Sequence, residues 1–577
     1  MKLRTFFYCI PAVPNLFYAV LLVPSLFMIG ACNNTTIPKE EIVNNREQIN
    51  EKAGTLINEL VTKAITDSGR VADSFTIFQP DLVKRVYDKR TYKPIWSDKD
   101  SLFPIADTLL SYIHNAMENG LFPQNYHVTA IDTVFAKIKN DSTDAIASRD
   151  ALLWAKKDVL LTDAFVQMMM DIKRGRLPDD SITLRKDTLF SPDLLLDQFD
   201  FFLRGKSMKN IITQLEPKLA GYKELKAGIR HFLDQADFNR DITLIPYPES
   251  DSADLNNKVF RRMQEEGIIP DSAVFENEAQ LTKAIKIFQK KNNLTDDGKI
   301  GAQTAKRLNS SDRDRFLQLA ITLDRYKQLP DSMPEKYLWV NIPAYKLSLF
   351  VDGAVKLESK VVVGKPITRT PVLNSAVSQL ITYPQWTIPT SIIVKEILPG
   401  LKRSPDYLEK KGYSLVSNNG EDIDPYAIDW NKYSKGIPYK VVQGSGDANA
   451  LGVMKFNFNN KYSVYLHDTN QRFFFNRAER ALSHGCVRVQ AWKQVSDYIL
   501  QNDSVQAMQN NNRSFLPSDS VYHWLQNKEK HVINVRNRIP LFIRYFTCEG
   551  KDGNIEFYDD VYNEDSLLKK YYISGNK

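Results

Sequence analysis

Apolar residues along this chain recur with two different periods, and the changeover falls near residue 337. From about 48 to 240 the spacing is mostly helical. Trp154, Leu161, Phe165, Met168 and Ile172 share one helix face, which Gly175 and Pro178 end. The run Met168-Met169-Met170 reads as core filling. A compact block follows over 255–310. In it Leu281, Ala284, Ile285 and Phe288 sit at i, i+3, i+4, i+7; Asp297-Gly298 makes a turn; and Ile300, Thr304 and Leu308 continue on another helix. A charged helix spans Asp312–Lys327. The period then becomes two: Leu338, Val340 and Ile342 alternate with Trp339 and Asn341. Further strand-like runs cover Lys346–Val351, 360–363, 378–382, Lys440–Gln443 and 461–467, punctuated by Gly353, Gly364 and Pro366. A polar segment, 401–439, interrupts them and carries Tyr407, Tyr413, Tyr426, Trp430, Tyr433 and Tyr439. The pattern predicts a multi-domain α+β protein. Its parts are a helical scaffold domain (66–254), a small helical module (255–311), a connecting helix belonging to the scaffold (312–336) and a β-rich domain (337–565).

The first residues follow neither pattern. Lys2 and Arg4 precede an uncharged apolar stretch from Phe6 to Ile29, the layout of an export signal. The stretch ends Ile29-Gly30-Ala31-Cys32, which resembles a bacterial lipobox. That resemblance implies removal of residues 1–31, lipidation of Cys32 and a tether over 32–65. The alternative is an uncleaved transmembrane anchor, since the apolar stretch is long and Gly30 stands two before the Cys. Either reading places the body outside the cytoplasm, held at a membrane.

Length and composition narrow the rest. A chain of 577 residues exceeds a single core. With 43% hydrophobic and 25% charged residues it is neither disordered nor a polytopic membrane protein. The +7 charge is spread thinly and no long Lys/Arg run occurs, so no nucleic-acid partner is expected. Of four cysteines, Cys9 and Cys32 fall in the N-terminal segment. Only Cys486 and Cys548 remain for the body, which excludes a disulfide framework.

Chemistry gathers between 461 and 499. Residues 461–467 are expected to form a strand with Tyr462, Val464 and Leu466 on its apolar side and His467 ending it on the other face. Ser483-His484-Gly485-Cys486 follows, and Trp492, Val495 and Ile499 then give a helical stripe. A Cys at the entry to a helix would have its thiol pKa lowered by free N–H groups and the dipole. Gly485 permits a tight turn, and backbone N–H groups near Cys486 suit an oxyanion hole. His467 or His484 is the expected base. From the residues alone three readings stay open: a thiol nucleophile, a zinc site using both His, the Cys and Asp468, or purely structural side chains.

A resemblance adds to this. His467, the sixteen-residue step to Ser483-His484-Gly485-Cys486, and Arg488 are similar to the signature of the L,D-transpeptidases. Val363-Gly364-Lys365-Pro366, Trp386-Thr387-Ile388-Pro389, the Gly446 to Gly452 stretch with Asn449, and Tyr465-Leu466-His467-Asp468-Thr469 are similar to the large multi-domain branch of that family. So is the tail over 539–562. Ala284 to Gln289, Asp297 to Gly301 and Thr304 to Asn309 resemble the three-helix peptidoglycan-binding-domain family. One departure is that 470–476 lack a Pro common in the branch. The resemblance implies Cys486 as nucleophile and His467 as proton donor and acceptor, oriented by a backbone carbonyl rather than by Asp468. Ser483, His484 and Gly485 would shape the turn and oxyanion hole. Arg488, Trp386, Asn449 and Tyr465 would meet substrate, 401–439 would be a capping loop, and no metal or cofactor would be needed. Peptidoglycan tetrapeptide stems are the implied donor and acceptor, joined 3→3 through a Cys thioester, on the periplasmic side of the cell envelope. An L,D-carboxypeptidase or other thiol hydrolase, a relative attaching proteins to the wall, and a non-catalytic wall-binding lipoprotein are the alternatives.

Overall fold

The helical spacing of the first half is realised around one long buried helix, Ala151–Arg174. The structure is a computed structural model that describes residues 40–71, 75–143, 148–185, 191–248, 252–292, 294–509 and 518–573. Even the polar residues of this helix lie inside: the Asp158 carboxylate accepts the Ile95 and Trp96 amides and the Tyr87 hydroxyl. Such a buried carboxylate is tolerable only when its lone pairs are satisfied. Helix Ile49–Thr66 packs along it and buries Ile49, Ala53, Leu56, Ile57, Leu60, Val61 and Ala64. This corrects the expected tether, which was to run to residue 65. From Ile49 the chain is part of the scaffold, because its apolar residues recur at helical spacing and find a partner face. Cys32 and the export-type segment lie outside the described residues.

The small module packs Leu281, Ala284, Ile285 and Phe288 of helix Glu278–Lys291 against Val259, Phe260, Met263 and Leu308. Gln289 fastens the Asp297-Gly298 turn, giving its amide to Asp297 and accepting the Gly298 N–H. Helix Asp312–Lys327 begins with a reciprocal Ser311–Asp314 capping box and is buried along most of its length.

Nine strands build the β-rich domain: β1 Lys336–Asn341, β2 Lys346–Val351, β3 Ala354–Gly364, β4 Leu373–Thr382, β5 Met454–Phe458, β6 Leu466–His467, β7 Ala481–Ser483, β8 Val487–Val489 and β9 Val532–Arg544. Their order is β7-β3-β8-β6-β5-β4-β9-β1-β2, and β2 also pairs with β3. The long β3 therefore closes the sheet on itself. Leu338, Val340, Leu347, Leu349, Leu380, Phe456, Leu466, Val487 and Leu541 point into the enclosed core. The opposite side chains of β1 and β9, Tyr337, Trp339 and Phe542, form a second cluster outside it.

The expected strand over 461–467 is strand only at Leu466–His467. Asn460 explains the difference. Its side chain accepts the Tyr462 and Val464 amides and donates to the Val464 carbonyl, making a turn with Ser463 at φ +56°. The cap is larger than 401–439. Strands Trp386–Thr387, Tyr413–Val416 and Lys440–Gln443 form their own sheet over a core of Ile388, Ile393, Ile397, Leu398, Leu401, Leu408, Trp430 and Val441. Finally, the hairpin Cys548–Lys551 and Asn554–Phe557 lies on scaffold helix Ala220–Gln235. There Tyr222, Leu225, Ile229, Phe316, Leu319, Leu323 and Cys548 share one core.

Candidate active site

Strand register assembles the site. Antiparallel pairing sets Lys455 opposite His467, and parallel pairing sets His467 opposite Arg488. Because Leu466 and Val487 face the enclosed core, their neighbours Tyr465, His467, Cys486 and Arg488 share the outer face. Cross-strand neighbours on one face lie about 4.5–5.5 Å apart at Cβ, and diagonal ones about 7–8 Å. Tyr465 is opposite Cys486, and His467 is its diagonal neighbour.

His467 is 4% exposed, and its Nδ1 lies 2.5 Å from the Asp468 carbonyl. A carbonyl only accepts, so Nδ1 carries the proton and Nε2 keeps its lone pair. Burial, reinforced by the nearby Arg488 charge, pushes the imidazole pKa down to about 3. Cys486 is free and partly buried. Burial raises its thiol pKa, while hydrogen bonds from Tyr465 and the Lys455 and Arg488 charges pull the other way. The pair is thus neutral thiol beside neutral imidazole. Lys455 sits 4.0 Å above the Tyr465 ring.

The expected helix entry is not there. Cys486 lies between β7 and β8, and the helix begins only at Trp492, because β8 pairs on both sides before the chain turns. Backbone turn geometry holds the thiol instead. The Ser483 hydroxyl donates to the Cys486 carbonyl (2.7 Å) and accepts the Gly485 amide (3.1 Å). Gly485 sits at φ +119°, which only glycine adopts readily. With the Gly485 N–H taken, the turn amides without a hydrogen-bond partner among the described residues are those of His484 and Cys486.

His484 turns away and pairs with Glu396 in the π-helical segment Ile393–Ile397 of the cap. The Asp468 carboxylate accepts the Val453 amide (3.1 Å) and pairs with Arg472 (2.9 Å). It presses on Gly452, where a Cβ would come within 2.3 Å. The donors a zinc site needs therefore point in different directions, and among the described residues no group of three or more potential ligands gathers. Arg488 donates to Gln471 (2.9 Å), lies over Phe474, and has a buried Nε without a hydrogen-bond partner. The Trp386 indole N–H is buried without a hydrogen bond, near the Tyr465 hydroxyl. Asn449 departs from its expected place at the substrate. It is 2% exposed, and its amide closes its own loop through Gln443, Gly444 and Leu451.

Three participants were missed in the sequence. Lys455 was findable, since Met454, Phe456 and Phe458 alternate with Lys455 and Asn457. Thr370 reaches the turn, and Tyr562 reaches Thr370, from distant segments that the family resemblance includes, but nothing local marks their part in the site.

Comparison with known proteins places this geometry. Residues 335–506 match the L,D-transpeptidase catalytic domain, 81–228 the scaffold domain and 271–308 the "Putative peptidoglycan binding domain". A Haemophilus influenzae protein described as "Putative L,D-transpeptidase" is 36% identical over 264 residues, 44% of this chain and 51% of that protein. The chain thus spans about half the length of the curated relative it matches. Two solved structures are also similar. An L,D-transpeptidase from Mycobacterium smegmatis is 13% identical, with TM-score 0.17, over 37% of this chain and 61% of that one. The Ldtfm–avibactam carbamoyl enzyme is 13% identical, with TM-score 0.13, over 38% and 74%. The match over 335–506 is to a catalytic domain of transferase type, preceded by matches to two non-catalytic domains. More narrowly, residues 335–506 are similar to the catalytic domain of the L,D-transpeptidases, and regions similar to a scaffold domain and a peptidoglycan-binding domain precede them.

Proposed function

We propose that this protein forms 3→3 cross-links in peptidoglycan by acyl transfer through Cys486. His467 Nε2 takes the Sγ proton as sulfur attacks the carbonyl between the third residue of a tetrapeptide stem and its terminal D-alanine. The Cys486 amide receives the developing oxyanion. His467 returns the proton to the departing D-alanine amine, leaving a thioester. The side-chain amine of a second stem's diamino acid then gives its proton to His467 and takes the acyl group, and the thiol is restored. Arg488 and Lys455 make the face cationic and favour thiolate and stem carboxylates alike. The cap over the site limits water, the competing acceptor. The reaction belongs to the periplasmic side of the cell envelope, with the chain held at the membrane through Cys32.

The observation that carries this reading is the proton-ready Nε2 of His467 on the same face as Cys486, with a free amide at the thiol. The test incubates purified protein with tetrapeptide-bearing sacculi and analyses muropeptides by mass spectrometry. Wild type should yield 3→3 dimers and free D-alanine, and Cys486→Ala neither. Tripeptides without dimers would make it a carboxypeptidase, and dimers from the alanine variant would end the thiol mechanism.

A further inference from the structure

A closed cycle of hydrogen bonds stands behind the nucleophile turn. The Thr370 hydroxyl donates to the Gly485 carbonyl (2.8 Å) and accepts the Gly364 amide (2.8 Å). The Tyr562 hydroxyl accepts the Thr370 amide (3.0 Å) and donates to the Gly364 carbonyl (2.7 Å). Both side chains are buried, Thr370 at 2% and Tyr562 at 1% exposure. The strand end has no slack, since a Cβ on Gly364 would lie 2.1 Å from the Thr368 carbonyl oxygen.

The Gly485 carbonyl and the Cys486 N–H belong to one planar trans peptide, so they point in opposite directions. Whatever holds the carbonyl aims the amide. On the far side, Tyr562 is itself held. Its amide donates to the Tyr545 hydroxyl (2.7 Å), and Arg369 donates to its carbonyl (2.7 Å). The residues just before it are gripped by the last helix of the peptidoglycan-binding module, Ala302–Leu308. Lys306 donates to the Asp560 carbonyl (3.1 Å), and Arg307 donates to the Phe557 carbonyl (3.0 Å) and pairs with Asp559 (3.4 Å).

We infer that Tyr562 is a positioning residue. Acting through Thr370, it aims the Cys486 amide at the oxyanion, and the peptidoglycan-binding module anchors the segment that carries it. The inference rests on the reading of Cys486 as the acylated nucleophile. A module usually regarded as a wall-binding appendage thereby becomes part of what holds the oxyanion hole. Removing its grip loosens the turn without touching the thiol.

The experiment compares two reactions of Cys486 in the full-length protein. Acylation by a carbapenem passes through an oxyanion. Alkylation by iodoacetamide displaces iodide and forms none. Tyr562→Phe should lower the limiting acylation rate about tenfold, and Thr370→Val toward the 10²-fold typical of a lost oxyanion donor. The half-saturating carbapenem concentration and the alkylation rate should stay within twofold of wild type. Thr370→Ser keeps the hydroxyl and should recover most of the loss seen in Thr370→Val. The double change Lys306→Met with Arg307→Met should move acylation in the same direction by a few-fold. An unchanged acylation rate in Tyr562→Phe overturns the inference. So does a parallel fall of both reactions, which is what mere loosening of the fold would give. Failure of the underlying reading looks different: wild-type protein would take no adduct at Cys486.

Discussion

A thiol and an imidazole buried on one face are both easier to keep neutral than charged, and that decides how the site responds to pH. The His467 pKa, pushed down to about 3, leaves it uncharged from mildly acidic pH upward. The Cys486 thiol lies above its ordinary value because burial outweighs the Tyr465 hydrogen bonds and the two cations. On the proposed mechanism, thiolate is then made during attack rather than waiting as an ion pair. Alkylation of Cys486 by iodoacetamide should accordingly keep rising with pH through 9, and a plateau below pH 7 would show a preformed pair. Removing a neutral imidazole changes no charge, so His467→Ala should leave that titration nearly in place while slowing acylation about 10²–10⁴-fold. Lys455→Met removes a charge that favours thiolate and should move the titration upward, measurable in the same alkylation series. A downward move would mean the ammonium does not act on the sulfur. His467, Cys486 and the Ser483 turn were legible in the sequence because they lie in short contiguous motifs. Lys455 escaped because its importance comes from register between strands, which no single segment displays.

Elements carry the next constraint. The cap looks in sequence like a loop over 401–439, yet its core includes Ile388, Ile392, Ile393, Ile397 and Leu398, which precede that range. Aromatic and polar residues disguised the insertion as surface, whereas Trp430 at its centre is 3% exposed. Deleting 401–439 alone would strip five apolar side chains of their partners, and the product should aggregate. Thr387 is paired directly with Val442, so residues 388–441 can be replaced by a two-residue Asn-Gly turn between them. That shorter protein should stay soluble and unfold cooperatively, while its acyl-enzyme hydrolyses faster because water now reaches the thioester. Thermal unfolding and acyl-enzyme lifetime by mass spectrometry measure the two effects. A soluble, cooperatively folded 401–439 deletion would show that the cap has no core of its own. The failed strand over 461–465 teaches the same lesson at smaller size. Its alternation was genuine, but the Asn460 side chain offered the backbone a competing set of hydrogen bonds.

At the scale of the molecule, sequence order and spatial unit part company. The segment 335–506 that matches the catalytic domain lacks β9, which fills the sheet between β4 and β1. Beyond β9 the chain leaves the β-rich domain and lays a hairpin on the scaffold. The strand pairings join residues about 150 to 200 positions apart and the hairpin packs on a helix more than 300 positions away, and local periodicity is blind to both. The join is tight at Gly550, where a Cβ would fall 2.2 Å from the Glu224 carbonyl carbon and the Leu225 amide nitrogen. Both are backbone atoms of a helix and cannot swing aside. Gly550→Val should therefore force the hairpin off helix Ala220–Gln235 and expose Leu225, Ile229 and Cys548. The cost should be at least the 1–3 kcal/mol usual for overpacking. Gly301→Ala is the control, since nothing lies within 4 Å of the position its Cβ would take. Thermal unfolding and limited proteolysis should show Gly550→Val melting earlier and cut near the hairpin, with Gly301→Ala close to wild type. If Gly550→Val melts with wild type and resists protease equally well, the shared core around Tyr222 and Cys548 is not what joins scaffold to catalytic domain.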